Sequence, residues 1–329
     1  MTTRCCWAQL CARSRVVAAA DMVLRGCSQV MFQNNPLTGL LFFIAIFVGA
    51  YEEGLPQVAF GSLLGTAAAT LSAALLTDDR QGLRLGLYGY NGCLVGAALP
   101  TFLAVSPLLW AGVIFSSLMS VVITLGLSRL LRTWNIAALT APFVLATWCV
   151  LLASYPFGRL HHPRLPPPVM PGGIDAPGGY LSPSETLIGA LHGVSQVFLC
   201  SSALGGILLL VGLGIASPRA MLLGFFGALL AVLTAQLIGA NPQQVFAGLY
   251  AFSAVLTAVA LGCVFNPPGR RVLVYTLIGV VFTVLMQGAF KTLLEPLGIP
   301  PLTMPFVVAS WLFVMANQEA MSAERRQRP

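Results

Sequence analysis

The sequence predicts an all-α integral membrane protein with ten transmembrane helices, two half-membrane helices and two inverted-topology repeats. Three observations predict this fold: the apolar composition, the distribution of basic residues and an internal repeat. Hydrophobic residues make up 57% and charged residues 8% of the 329 positions, whereas a soluble domain carries roughly a quarter charged residues. The main solvent of this chain is therefore lipid.

The composition also excludes several functional classes. The net charge of +7 comes from basic residues placed singly or in pairs between apolar runs. Nucleic-acid binding needs a clustered basic face, so we predict no nucleic-acid partner. Most cysteines lie within apolar runs or lack a matching set of histidines, so no metal and no cofactor are predicted. No catalytic motif occurs in a credible context, so we predict no catalytic residues and no enzymatic activity.

A helix that crosses a bilayer needs roughly 20 apolar residues. Ten segments approach that length: 36–50, 56–76, 83–103, 106–128, 135–154, 202–217, 219–239, 244–264, 271–292 and 299–317. Two shorter apolar stretches, 21–33 and 185–199, each precede a patch of small or helix-breaking residues. We interpret them as half-membrane helices that enter the bilayer and stop, since irregular backbone at that depth must be buried or line a cavity.

The basic residues orient these segments. With the N-terminus in the cytoplasm, 14 of the 17 basic residues fall on the cytoplasmic side, and only Arg159, Arg164 and Lys291 fall outside. Cytoplasmic loops carry an excess of Lys and Arg, so this division supports ten spans with both termini cytoplasmic. The predicted location is the plasma membrane, which in a bacterium is the inner membrane.

The predicted organisation is two repeats joined by a linker. An N-terminal tail (1–20) precedes the first repeat (21–154), and a C-terminal tail (319–329) follows the second (185–318). Residues 155–184 are rich in Pro and Gly and form the predicted extracellular or periplasmic linker. Each repeat holds five full spans, an odd number, so the second half is predicted to be inverted relative to the first.

The repeat is visible in three stretches that recur in the same order. Their offsets are 167, 162 and 163 residues, so the register is nearly constant. The pairs are SQVMF (28–32) with SQVFL (195–199), GLYGYN (86–91) with GLYAFS (248–253), and LTAPFV (139–144) with LTMPFV (302–307). Inverted repeats place a substrate path at their interface, so the repeated polar residues are candidate pore residues.

Gln29 and Gln196 are the first such pair. A glutamine amide both accepts and donates hydrogen bonds, which suits a small neutral polar solute. A single Gln in a membrane helix more often ties helices together, but the symmetric placement on two half-helices favours solute binding. Thr140 and Thr303 are the second pair, each followed two residues later by a proline, Pro142 or Pro305. Because proline frees a backbone carbonyl one turn earlier, hydroxyl and carbonyl oxygens can together line a pore.

The charged residues indicate the transport mechanism. All ten acidic residues fall in predicted loops or at segment ends. Proton-coupled carriers usually place an ionisable residue inside the membrane, so passive conduction of a neutral solute is favoured. A sodium site of backbone carbonyls is still compatible with the sequence, and the alternative is an ion-coupled secondary transporter of a small neutral amide or related solute. A membrane enzyme or assembly subunit without a pore is the third interpretation.

At these residues the chain resembles the urea transporter family, including its bacterial members. The resemblance is carried by LRGCSQVMFQNNPLTG (24–39), GLYGYNGCLVGAALP (86–100), LTAPF (139–143), GLYAFSAVL (248–256) and LTMPF (302–306). It implies a homotrimer in the lipid bilayer, with urea as the solute and one pore in each subunit. Each such pore has an outer and an inner urea site separated by a narrow middle.

The resemblance also assigns roles to residues of this chain. Gln29 and Gln196 would serve the two sites, Phe32 and Leu199 would form slot walls, Tyr88 and Tyr250 would close the slot, and Thr140 and Thr303 would line the constriction. The chain departs from the family in two respects. The stretch 200–204 stands where the family tends to keep a second Asn-Pro element, and Leu199 replaces an aromatic residue, which makes the two sites chemically unequal.

Overall fold

The computed structural model describes residues 2–172 and 179–327, with side chains described for residue 7 and residues 9–317 of those ranges. Within them the chain forms helices and no strand. The α-helices are α1 Thr2–Arg13, α2 Arg15–Gln29, α3 Pro36–Glu52, α4 Pro56–Leu76, α5 Arg80–Arg84, α6 Gly89–Phe102, α7 Pro107–Leu131, α8 Ala141–Ala153, α9 Pro183–Ser195, α10 Ala203–Ala216, α11 Pro218–Leu237, α12 Pro242–Phe246, α13 Phe252–Val259, α14 Arg270–Leu294 and α15 Met304–Gln327. Short 3₁₀ turns cover Arg132–Trp134, Gln196–Phe198 and Glu295–Leu297, and a π-helical turn covers Ala260–Val264.

Many helices begin at a Ser-Pro or Asn-Pro pair. The Ser or Asn side chain accepts a hydrogen bond from a first-turn N–H, and the proline occupies the first helical position, where no N–H partner is needed. These pairs are Asn35-Pro36, Ser106-Pro107, Ser182-Pro183, Ser217-Pro218 and Asn241-Pro242. Local sequence therefore accounts for where α3, α7, α9, α11 and α12 begin.

The backbone repeats as the sequence does. Helices α9–α15 repeat the succession of helices and breaks seen in α2–α8. Left-handed backbone occurs at Phe32 and Leu199, at Gly86 and Gly248, and at Leu139 and Leu302. Non-glycine residues adopt positive φ uncommonly, so matched occurrences indicate that the two halves share one chain path.

The lengths of the helices correct part of the span prediction. Among the described residues, four helices are long and apolar enough to cross a membrane, or five if α9 and α10, bent by 73°, form one span. Segments 83–103, 135–154, 244–264 and 299–317 are not continuous helices, because the main helix in each begins late, at residue 89, 141, 252 or 304. The left-handed residues just before these points interrupt the hydrogen-bond ladder. The total of ten spans remains a prediction.

The two predicted half-membrane helices differ in extent from their sequence boundaries. The first, predicted at 21–33, is helix α2, which begins at Arg15 because Ser14 caps it, and it ends at Gln29. The second, predicted at 185–199, is α9 with its 3₁₀ turn. Both end just before a left-handed residue, Phe32 or Leu199, and the chain then turns into the next helix. Gln29 is the last residue of α2, and Gln196 immediately follows α9.

Candidate functional site

A cavity of about 550 Å³ opens on the side of the linker, and we call it the linker-side cavity. Linker residues Pro166, Pro167 and Val169 form part of its wall, and the N–H of Val169 donates to the carbonyl of Glu295 at 3.2 Å. Its polar and charged lining consists of Glu53, Thr101, Gln196, Gln244, Tyr250, Gln287, Lys291, Glu295 and Thr303. The lining therefore includes both charged side chains and Thr303.

A second cavity, of about 540 Å³, contains residues of the C-terminal part of α15, and we call it the tail-side cavity. It is lined by Ser128, Arg132, Asn135, Ile136, Ala137, Val264, Phe265, Asn266, Val314 and Asn317. Most of these residues lie 163 positions from a residue of the linker-side lining. Arg132 corresponds to Glu295, and Ile136 corresponds to Ile299. The repeat thus generates two equivalent cavities with different charges.

A pair of threonine hydroxyls lies where the two halves meet. The Oγ1 atoms of Thr140 and Thr303 are 2.6 Å apart, and both side chains are buried. Thr140 immediately precedes α8, and Thr303 immediately precedes α15. The N-termini of these helices therefore face one point from the two halves. Helix N-termini carry partial positive charge, so this point disfavours cations.

Two tryptophans hold this junction together symmetrically. The indole N–H of Trp148 on α8 donates to the carbonyl of Pro300 at 2.9 Å, and that of Trp311 on α15 donates to the carbonyl of Ala137 at 3.0 Å. Each tryptophan thus bonds the segment that leads to the other half's threonine. Such reciprocal contacts are what a two-fold axis generates. They fix the positions of Thr140 and Thr303 relative to each other.

Aromatic rings connect the tail-side cavity to this junction. Phe265 lines that cavity, and its ring lies 6.3 Å from the ring of Phe32, which in turn lies 6.1 Å from the ring of Phe306. Both pairs meet edge to face. The counterpart of Phe32 is Leu199, which lines the linker-side cavity. Three rings, those of Phe265, Phe32 and Phe306, therefore lie between the tail-side cavity and the junction. The lining of the linker-side cavity, in contrast, includes Thr303 itself.

Comparison with known proteins gives this geometry a family. A sequence model described as urea transporter matches residues 20–318. The chain is 29% identical to Urea transporter 1 of Ovis aries over 300 residues, which cover 90% of this chain and 76% of the sheep protein. It is also 29% identical to Urea transporter 1 of Rattus norvegicus over 307 residues, covering 92% and 78% of the two chains.

The chain belongs to the urea transporter family. This membership points to a transporter rather than an enzyme, and the apolar helices make it a multi-pass membrane protein. The resemblance stated from the sequence is thereby confirmed over nearly the whole chain.

In this urea transporter family member the two glutamines lie in unequal surroundings. The amide nitrogen of Gln29 donates to the carbonyl of Leu85 at 2.9 Å. Gln196 lines the linker-side cavity, and no hydrogen bond holds its amide within the described part of the chain. The carbonyl equivalent to Leu85, that of Ala247, instead accepts from the hydroxyl of Ser201 at 3.2 Å. The serine in the divergent stretch 200–204 therefore leaves Gln196 free.

The two predicted tyrosines also differ. Tyr250 lines the linker-side cavity. Tyr88 instead packs beside α4 and α7, and its hydroxyl donates to Asp79 at 3.0 Å. Hydrogen bonds from the Gly82 N–H and from this hydroxyl lower the pKa of Asp79, so the contact is made to a carboxylate. The structure thus places Tyr88 outside both cavity linings, which differs from its predicted role.

Tyr90 and Asn91 are polar residues that were not among the predicted pore residues. The hydroxyl of Tyr90 donates to the carbonyl of Leu139 at 2.6 Å. Asn91 accepts from the N–H of Phe143 at 3.2 Å. Both residues lie in the repeated GLYGYN stretch, but their counterparts are Phe252 and Ser253. Because these residue types are not shared by the two halves, the repeat did not mark Tyr90 and Asn91 as candidates. Pro142 and Pro305 are the second residues of α8 and α15, each two residues after its threonine.

Glu53 lies in the turn after α3 and lines the linker-side cavity. One of its carboxylate oxygens accepts a hydrogen bond from the N–H of Ser201. Burial raises the pKa of Glu53, and the hydrogen bond from Ser201 and the nearby His192 partly offset that rise. The loop after Leu199 is therefore held by a group whose charge varies with pH.

This raised pKa predicts a pH-dependent stability. An acid whose pKa is raised in the folded protein holds its proton more tightly there than in the unfolded chain. Its contribution to stability therefore declines as pH rises from the ordinary pKa through the raised pKa of the folded state. The variant Glu53→Gln keeps an acceptor for Ser201 but no charge. We expect its Tm in detergent to match wild type below this window and to exceed wild type above it. Asp78→Asn, at an exposed acid away from this cavity, is the control. If Glu53→Gln and wild type had identical Tm values at every pH, the prediction would be contradicted.

Proposed function

We propose that this protein conducts urea passively down its gradient through a pore in each subunit. The observation that carries the proposal is the buried Thr140–Thr303 pair between two equivalent cavities, in a chain that belongs to the urea transporter family. Urea is planar, neutral and rich in donors. Desolvating its amide groups without partners costs several kcal/mol, so passage requires acceptor oxygens at the narrowest point.

The threonine pair provides such oxygens and also sets the barrier. In the closed arrangement each hydroxyl satisfies the other at 2.6 Å. A passing urea replaces this one hydrogen bond with bonds of its own to both hydroxyls, so its desolvation is compensated at the constriction. The charged residues that line the cavities are Glu53, Lys291 and Glu295 on one side and Arg132 on the other. Ions meet no compensating charge between the threonines, which supports passage of a neutral solute.

The orientation and assembly complete the proposal. The linker-side cavity faces outside and the tail-side cavity faces the cytoplasm, since the positive-inside rule places the linker outside and both termini inside. In a bacterial cell the membrane is the inner membrane. The subunits form a homotrimer, as the family resemblance implies, and each subunit holds its own path.

Purified protein in liposomes tests the mechanism. We expect urea influx to be accelerated without any sodium or proton gradient and to saturate only at high urea concentration, because tight binding would slow exit. An ionophore that abolished uptake would show that transport is ion-coupled instead. Conversion of a substrate without any flux would show a membrane enzyme.

The two glutamines give the next prediction. Gln196→Leu removes an amide that is free in the linker-side cavity, and we expect urea flux to fall by about threefold to tenfold, the value of one neutral hydrogen bond. Gln29→Leu should lower flux similarly and also lower Tm, because it removes the bond to Leu85. Gln243→Leu, on the exposed side of α12, is the matched control. Unchanged flux in both Gln29→Leu and Gln196→Leu would refute the glutamine roles.

A further inference from the structure

Gln287 lies on α14, and its side chain is 6% exposed. The small exposed surface faces the linker-side cavity, because Gln287 belongs to its lining. An amide at this depth needs partners for both its oxygen and its nitrogen, since an unpaired buried polar group costs free energy. Its partners therefore show whether it serves only to join helices.

One end of the amide has a protein partner and the other does not. The hydroxyl of Ser253, itself fully buried on α13, donates to Oε1 of Gln287 at 3.1 Å. Within the described part of the chain, no acceptor is hydrogen-bonded to Nε2. The bond from Ser253 fixes the amide plane, so the NH₂ group is left for the cavity. A donor that is oriented but unpaired is typical of a ligand-binding group.

The first half shows what a satisfied version of this site looks like. There the amide side chain is that of Asn91 on α6. Its Nδ2 donates to Oγ1 of Thr124 on α7 at 3.4 Å. The amide nitrogen of Asn91 also lies 3.4 Å from the carbonyl oxygen of Leu139, which accepts from Tyr90 as well. The protein itself therefore supplies the donors for the Leu139 carbonyl.

In the second half the amide and the hydroxyl side chains have changed places: the amide is on α14 and the hydroxyl is on α13. Ser253 replaces Asn91, Gln287 replaces Thr124, and Phe252 replaces Tyr90. The equivalent carbonyl, that of Leu302, receives no hydrogen bond from the described residues, and Leu302 lines the same cavity as Gln287. The linker-side cavity thus offers one unpaired donor and one unpaired acceptor that the tail-side half lacks.

We propose that Gln287 is a further solute-binding residue that donates its Nε2–H to the carbonyl oxygen of urea in the linker-side cavity, while the Leu302 carbonyl accepts an N–H of the same molecule. The inference rests on the proposed function and adds to the path a donor whose orientation is fixed by the bond from Ser253. The carbonyl oxygen is urea's one acceptor, so a donor at this point selects solutes that carry a strong acceptor. It also makes the linker-side site bind urea more tightly than the tail-side site.

The test compares urea with thiourea, whose sulfur accepts hydrogen bonds weakly. Wild-type protein, Gln287→Met and Thr283→Val are reconstituted in liposomes, and influx of each solute is measured over a range of concentrations. Met retains the length of Gln without a donor. Thr283 is buried one turn earlier on α14, bonds Thr257 at 2.9 Å and lies outside the cavity lining, so its valine variant controls for loss of buried polarity.

We expect Gln287→Met to raise the half-saturating urea concentration by about threefold to tenfold, with a clearly smaller change for thiourea. Thr283→Val should leave both values unchanged. Ser253→Ala, which frees the Gln287 amide to rotate, should change urea in the same direction by a smaller factor. Equal losses for the two solutes would assign Gln287 a purely structural role and overturn the inference. An unchanged half-saturating urea concentration in Gln287→Met would overturn it too. In either case, urea influx through the wild-type protein would leave the proposed function standing.

Discussion

Liposomes that contain the Thr140→Val/Thr303→Val double variant should take up urea at least about tenfold more slowly than wild-type liposomes. Valine keeps the shape of threonine, so the width of the constriction is unchanged. The two hydroxyls that compensate urea for its lost water are gone, however, and an uncompensated polar group costs about 1–3 kcal/mol by mutational data. Stopped-flow measurement of urea influx would determine the rates.

The matched control is Thr147→Val on the same helix. The hydroxyl of Thr147 is buried without a hydrogen-bond partner among the described residues. Removing it should leave flux unchanged and should not lower the stability, because an unpaired buried hydroxyl is itself unfavourable. If the double variant conducted urea as fast as this control, the threonine pair would have no role in conduction.

A large loss of stability is expected from any added bulk between α4 and α6. Gly61 and Gly65 on α4 face Gly96 and Gly92 on α6 so closely that a Cβ atom added to any one of them would overlap a backbone carbonyl oxygen of the other helix. Backbone cannot yield as a flexible side chain does. We therefore expect Gly96→Ala to destabilise the protein by about 3 kcal/mol, at the upper end of ordinary overpacking, measured as thermal unfolding in detergent.

Gly112→Ala on α7 provides the comparison. A Cβ atom at Gly112 would meet no other atom within 4 Å. Alanine favours the helix over glycine by about 1 kcal/mol, so this variant should be neutral or slightly stabilising. Equal Tm changes in the two variants would show that the α4–α6 contact is looser than the structure indicates.

Several parts of the site could be predicted from residues alone. The Thr-x-Pro-Phe stretches at 140–143 and 303–306 recur in a nearly constant register, which makes them equivalent positions of the two halves. The paired Gln29 and Gln196 followed from the same argument. What these residues share is that both copies of the repeat retain them, so one sequence contains two independent occurrences of the same feature.

Other residues escaped prediction for a physical reason. Tyr88 and Tyr90 are two positions apart, and a helix turns about 100° per residue, so which tyrosine faces the junction depends on where α6 begins. That start follows the left-handed Gly86, and the helix begins at Gly89. Gln287 escaped because its counterpart is Thr124, and a repeat argument finds only positions where both copies agree.

The sequence alone was therefore sufficient to predict the membrane environment, the duplication and the paired polar residues. Each of these depends on composition or on comparison of the chain with itself. The threonine contact at 2.6 Å, the ring chain through Phe32 and the free amides of Gln196 and Gln287 required the folded arrangement. These features depend on atoms more than a hundred residues apart or on adjacent helices. Small changes of helix start decide which side chain reaches the cavity, as the start of α6 at Gly89 does for Tyr88 and Tyr90.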